Sequence, residues 1–296
     1  MAQIEEVYVD YAGYQTYCKI VGESEPGKKP LLVLHGGPGG SHDSLLTYAE
    51  LADRCGRQVV FYDQIGGGRS SIPHQDDDFY AYDLWIDEFF AVREALGLYD
   101  IHLLGNSWGG MLGLLCMLRD DEGVASFVIN SAPVCIDTWL SEANRLIGYL
   151  PEEMQEALAE AEDSGDYESP EAAGAMDEYY RRHVMGCGPE DYPDFLLESE
   201  SFEPGESYLV MQGASEFVVT GKMRDWDIRE EVGDIQVPCM FLSGTDDECT
   251  PYTAKECVDS IPGCEWTLVQ GGAHLTNLAR PEECLAAVEG FIERHE

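Results

Sequence analysis

Residues 100–110 read DIHLLGNSWGG. An apolar run enters Gly105-Asn106-Ser107-Trp108-Gly109, and WGGMLGLLCMLRD (108–120) follows with the character of a buried helix. Glycine and serine are common, so G-x-S-x-G carries little weight alone. Placed between a strand and a helix, it is the pattern of a sharp turn that pushes a serine hydroxyl out at a helix N-terminus. The partial positive charge there favours a developing oxyanion. Ser107 is therefore the candidate nucleophile.

The surrounding chain repeats the same rhythm. LLVLH (31–35), QVVFYDQ (58–64) and ASFVINSA (125–132) read as further strands buried on both faces, and LLTYAELADRCG (45–56) and YDLWIDEFFAVREALGL (82–98) read as helices. EEVYVDYAGYQTYCKIVGE (5–23) alternates around an Ala-Gly break and predicts a β-hairpin. Strands alternating with helices imply an α/β fold with a mostly parallel, doubly wound sheet. Residues 135–224 are acidic and helical, without a strong strand run, and the rhythm resumes at 226. The expected organisation is a core of 1–134 and 225–296 carrying a helical cap of 135–224.

A serine nucleophile needs a base, and the base needs an orienting group. In an α/β-hydrolase the chain order is serine, acid, histidine. VPCMFLSGTDD (237–247) supplies an acid after a strand, and CEWTLVQGG (264–272) leads to His274. Ser107, Asp247 and His274 fit the order, with neighbouring Asp246 an alternative acid. A tetrahedral intermediate also needs two N–H donors. Trp108 follows the nucleophile and can give one. HGGPGG (35–40) follows an early strand, and Gly37 is the candidate for the other. The glycine loop does not suit a phosphate: there is no GxxxxGK[ST], and GxGxxG fails because position 42 is His. His35 reads as a structural residue closing its strand.

The 57 Asp+Glu against 17 Lys+Arg give a formal net charge of −40. Such a field repels nucleic acid and anionic membranes and attracts cations, including substrates with a free amine. The ten cysteines form no CxxC pair and no Cys/His cluster of zinc-site spacing, so buried reduced thiols are expected, and neither metal nor cofactor. No stretch reaches the length of a membrane span, and MAQIEEVYVD lacks the features of a signal peptide. A cytoplasmic protein is the expectation.

HGGPGG (35–40), YDQIGGGRS (62–70), GNSWGG (105–110), GTDDECTP (244–251) and GGAHLTN (271–277) together resemble the proline iminopeptidases of the α/β-hydrolase superfamily. YYRRH (179–183) and GASEFVVTGKMRDWD (213–227) resemble the subgroup related to the tricorn-interacting aminopeptidase. The resemblance implies a serine aminopeptidase that removes N-terminal residues, proline among them, from short peptides. It carries the triad onto Ser107, Asp247 and His274. Asp247 is chosen over Asp246 because it stands three after Gly244. The oxyanion donors fall on Gly37 and Trp108. It also implies that Glu216 and Glu248 clamp the substrate's free amine, which is largely cationic at neutral pH. Arg181 and Arg182 fit structural ion pairs within the cap as well as a substrate role. Two alternatives stand beside the peptidase: a hydrolase of amino-acid amides or esters, and a binding protein on the same scaffold. An epoxide hydrolase or dehalogenase is disfavoured because the elbow carries Ser107 rather than Asp.

Overall fold

The computed structural model describes residues 2–199 and 205–296. The chain opens with the hairpin β1 (Ile4–Tyr11) and β2 (Tyr14–Val21). Its turn is Ala12-Gly13, both at positive φ, the geometry that matches the twist of paired strands. Then come β3 (Leu31–Leu34), a 3₁₀ stretch His42–Glu50 running into α1 (Leu51–Cys55), β4 (Val59–Tyr62), α2 (Tyr82–Leu96), β5 (Ile101–Asn106), α3 (Trp108–Arg119) and β6 (Val124–Asn130). The region expected as one helix over 45–56 is thus mostly 3₁₀ and begins earlier. Its start is fixed at His42, whose main-chain N–H and ring Nδ1 both meet Asp63 Oδ1, at 2.8 and 2.7 Å.

The sheet order is β1-β2-β4-β3-β5-β6-β9-β10, where β9 is Cys239–Gly244 and β10 is Glu265–Val269. β1, β2 and β4 pair antiparallel; every other neighbour pair is parallel. The central strands are apolar on both faces because both faces are covered. Leu32, Leu34, Val60, Tyr62 and Leu103 pack with Trp85 and Phe89 of α2 and Leu112 of α3. Leu31, Val33, Val59, Phe61 and Leu104 face the other way, onto Leu45, Tyr48 and the C-terminal helix residues Leu285, Val288 and Phe291. Among the described residues no helix is long and apolar enough to cross a membrane. All ten cysteines are free thiols.

From β3 the chain goes to one side, to β4, and then returns across β3 to β5 on the other. The strand ends therefore diverge between β3 and β5, which is where open α/β sheets form a crevice. The HGGPGG loop and the serine turn are the two segments that leave these strands.

Between β6 and β9 lie α4 (Ile136–Ile147), α5 (Glu152–Ser164), α6 (Pro170–His183), the short α7 (Asp194–Leu197) and α8 (Glu206–Met211), and a minimal hairpin, β7 (Gly213–Ser215) with β8 (Val218–Val219). The hairpin has too few residues to leave a periodic signal. Leu146, Leu150, Leu158, Ala175, Tyr179 and Phe217 make an apolar cluster of their own. At the base of this region Cys135 and Asp227 form an antiparallel bridge, and Ile136 N–H donates to Trp226 O while Ile228 N–H donates to Val134 O. We propose on these grounds that 135–224 acts as the cap; its residues 200–204 lie outside the described residues. After β9 come α9 (Pro251–Ser260), β10, α10 (Thr276–Ala279) and α11 (Pro281–Glu293).

Candidate active site

Ser107 joins β5 to α3 with φ 54 and ψ −124, a conformation that L-residues avoid. The turn is held by its packing. Ser107 N–H donates to Asn130 O at 2.8 Å, and a Cβ on Gly105 would lie 2.2 Å from Gly109 O, so only glycine fits there. Ser107 Oγ makes no hydrogen bond to His274 among the described residues; such contacts commonly tighten only when substrate binds. The two segments are nonetheless joined, since Asn106 Nδ2 donates to His274 O at 3.3 Å.

Of the two neighbouring acids, Asp247 meets the ring and Asp246 faces solvent. Asp247 Oδ1 lies 3.1 Å from His274 Nδ1 and accepts the Cys249 N–H at 2.7 Å. Its Oδ2 accepts the Ser131 hydroxyl at 2.6 Å. With Nδ1 turned to the acid, Nε2 is left for another partner. Ser131, directly after β6, is a partner of Asp247 that no sequence motif marks.

Around this ring sits a group of acids without a matching cation. Glu248 is fully buried, with the Tyr179 hydroxyl beside it, and Oε1 lies 3.9 Å from His274 Nε2. Glu216 stands at the turn of the β7–β8 hairpin. It accepts the Tyr208 hydroxyl at 2.8 Å, and its main-chain oxygen accepts the Trp139 indole N–H at 2.7 Å. Burial raises the pKa of both glutamates, and for Glu248 the nearby Glu216 and Asp247 charges add to it. Burial alone would lower the His274 pKa, but the Asp247 hydrogen bond and the charges of Glu248, Asp247 and Glu216 outweigh it and hold it at about 9. Arg181 and Arg182 lie apart from this group: both pair with Glu178, at 2.7 and 2.6 Å, as structural ion pairs.

The HGGPGG loop is fixed by its first residue. The Gln64 N–H donates to His35 Nε2 at 2.8 Å, so Nδ1 carries the ring proton and donates to Gly36 O at 2.7 Å. Burial depresses the His35 pKa, which keeps the ring neutral in this role. Carbonyl and N–H point opposite ways across a trans peptide, so pinning Gly36 O turns the Gly37 N–H away from His35. Gly36 itself lies against the nucleophile: a Cβ there would be 3.3 Å from Ser107 Cβ. Gly37 has φ +124, which favours glycine. The side chain of Gln64 closes a circuit, donating to His35 O at 2.8 Å and accepting the Trp108 indole N–H at 2.7 Å. The following glycines press on the same loop; a Cβ on Gly67 would lie 2.4 Å from Gly40 O. Gln64 belongs to YDQIGGGRS, a signal that was available, but its task depends on three loops meeting.

Three carbon-copy features now stand together: a strained serine turn, an Asp–His pair and a loop of oriented N–H groups at one sheet crevice. Residues 29–281 match the family model of the alpha/beta hydrolase fold. The chain is 38% identical over 299 residues to a proline iminopeptidase of Clostridium botulinum (strain Hall), covering 99% of this chain and 100% of that protein. A crystal structure of proline iminopeptidase from Mycobacterium smegmatis superposes with a TM-score of 0.90 at 36% identity, over 98% of both chains. The crystal structure of VinJ superposes with a TM-score of 0.93 at 34% identity, over 99% of both. The chain belongs to the proline iminopeptidase family of α/β-hydrolases.

Proposed function

We infer that this chain is a serine aminopeptidase of the proline iminopeptidase type, releasing the N-terminal residue, proline included, from short peptides. The observation that carries the substrate assignment is the buried carboxylate of Glu248 beside the candidate base, with no lysine or arginine paired to it among the described residues. Its cationic neighbour there is the base itself, at 3.9 Å, and an ammonium group of the substrate can take that place. Glu216, on the cap, offers a second carboxylate. An ammonium bound to this pair sets how far the substrate reaches, so that its first amide meets Ser107. That distance makes an exopeptidase.

The chemistry then follows from the groups present. Ser107 Oγ attacks the carbonyl carbon of the first amide while His274 Nε2 takes its proton. Asp247 holds the ring in the Nδ1–H tautomer and stabilises the imidazolium. The Gly37 and Trp108 N–H groups receive the negative oxygen of the tetrahedral intermediate. His274 returns the proton to the leaving amine, which departs as the shortened peptide, and the N-terminal residue remains as an ester on Ser107. Water activated by His274 releases it.

The test uses a matched pair, prolyl-2-naphthylamide and its N-acetyl derivative, with wild type and Ser107→Ala. Turnover of the free-amine compound by wild type alone is expected. Equal rates on both compounds would reject the amine clamp, and near-wild-type turnover by the variant would reject the serine mechanism.

A further inference from the structure

His274 is surrounded by acids in a way that a general base does not require. Asp247 lies 3.1 Å from Nδ1 and Glu248 lies 3.9 Å from Nε2, both from the loop after β9. Glu216 faces the same pocket from the β7–β8 hairpin. The other titratable groups there are the hydroxyls of Tyr179 and Tyr180 on α6 and Tyr208 on α8, all pushed up by burial and therefore neutral donors. His183, at the end of α6, is depressed by burial and gives its main-chain oxygen to the N–H groups of both Glu248 and His274. Asp246 faces solvent, and Asn106, which precedes Ser107, donates its Nδ2–H to His274 O. Among the described residues no lysine or arginine pairs with Asp247, Glu216 or Glu248. With His183 depressed by burial, the His274 imidazole is the group best placed among the described residues to carry positive charge beside these acids.

We propose, on the reading that this pocket takes a cationic N-terminus, that Glu248 holds a proton on His274 in the absence of substrate and that the substrate's ammonium group releases it. The general base then forms only when a free amine is bound. The exchange balances in charge and atoms: an ammonium enters, the imidazolium loses its Nε2 proton to water, and the ring nitrogen facing Ser107 gains a lone pair. Glu248 is in this view a specificity-determining residue twice over. It binds the amine, and it keeps the nucleophile idle toward esters and amides that lack one. The imidazole pKa of about 9 agrees with this geometry.

The experiment follows labelling of Ser107 by an uncharged phosphonate ester, a probe with no amine, as a function of pH. In wild type the labelling rate is expected to rise with a midpoint near 9, leaving it roughly 100-fold below its plateau at pH 7. Glu248→Gln, close to isosteric, should move the midpoint down by about one unit or more and speed labelling at pH 7 about tenfold. A wild-type midpoint near that of free imidazole, or an unchanged midpoint in the variant, overturns the proposal. Should the variant fail to fold, wild type suffices: the His274 ring titration, followed by NMR, should fall when pyrrolidinium is added. A midpoint that does not move overturns it equally. These readouts are separate from the amine clamp itself. Loss of discrimination between free and acetylated substrates would remove the clamp, while the phosphonate profile would still report the coupling of Glu248 to His274.

Discussion

Gln64 accepts the indole N–H of Trp108 at 2.7 Å, and through the same side chain it is tied to the residue that begins the glycine loop. One amide thus fixes the spacing between the two segments that carry the proposed oxyanion donors. Gln64 is fully buried, so no water can replace it. Gln64→Leu should lower kcat roughly 10- to 100-fold with little change in KM, because misplaced donors are felt in the transition state. The orphaned Trp108 N–H and His35 carbonyl should together cost about 2–6 kcal/mol of stability. Steady-state kinetics beside urea unfolding checks both; a kcat within twofold of wild type would contradict the assignment.

The positive φ of Ser107 separates chemistry from folding. Ser107→Ala and Ser107→Gly should both lose turnover by at least about 10³-fold. The glycine variant should be the more stable of the two by about 1 kcal/mol, since it relieves the left-handed strain. Equal melting temperatures would show that the turn is not strained.

Ser131 donates to the Asp247 oxygen that does not face the histidine. In Ser131→Ala the acid keeps the Cys249 N–H but loses a charge-assisted bond and its fixed plane. A fall in kcat/KM of about tenfold is expected. An alanine variant with wild-type kcat/KM would remove Ser131 from the site.

Far from the pocket, Glu296 takes Arg57, which is fully buried, and accepts the Lys29 N–H at 3.1 Å. Burial opposes its ionisation, but the Lys29 N–H and Arg57 prevail and hold its pKa below the usual value. A depressed carboxyl stabilises the fold above its unfolded pKa and ceases to do so as pH falls through the folded one. Glu296→Gln should therefore destabilise the protein at pH 7 by about 1 kcal/mol or less, the pair being partly solvent-screened, and the difference should vanish at a pH below the usual carboxylate range. Denaturant titrations of both proteins at the two pH values test it; a gap that widens on acidification would reverse the sign.

The sheet was legible because its central strands are apolar on both faces, as at Leu31–Leu34 and Val59–Tyr62, and because each helix between them carries its own spacing. Ser107, Asp247 and His274 could be singled out because each follows a strand end in a motif of its own. The second layer was not legible. Gln64 and Ser131 act by joining segments far apart in the chain, and a polar residue beside a strand reads the same whether or not it has a partner. The β7–β8 hairpin was invisible for a different reason: with three and two residues it has no period, yet it sets Glu216 at its turn. Asp247 could be preferred to Asp246 only through the family's spacing after Gly244; which of the two points inward is a matter of the fold that a dipeptide does not express.

The bridge between Cys135 and Asp227 has a consequence for how this protein can change. Residues 135–227 begin and end at this one bridge, so the proposed cap can be exchanged as a cassette. Replacing everything between those two residues leaves the path of each sheet strand untouched, along with the serine, its base and its acid. Glu216 would go with the exchanged piece, and with it Tyr179, Tyr180, Tyr208 and His183, whose main-chain oxygen an incoming segment would have to replace for the N–H groups of Glu248 and His274. Preference for a substrate and the power to hydrolyse it are thereby heritable separately, and grafting another family member's cassette onto residues 135 and 227 should transfer the first while keeping the second.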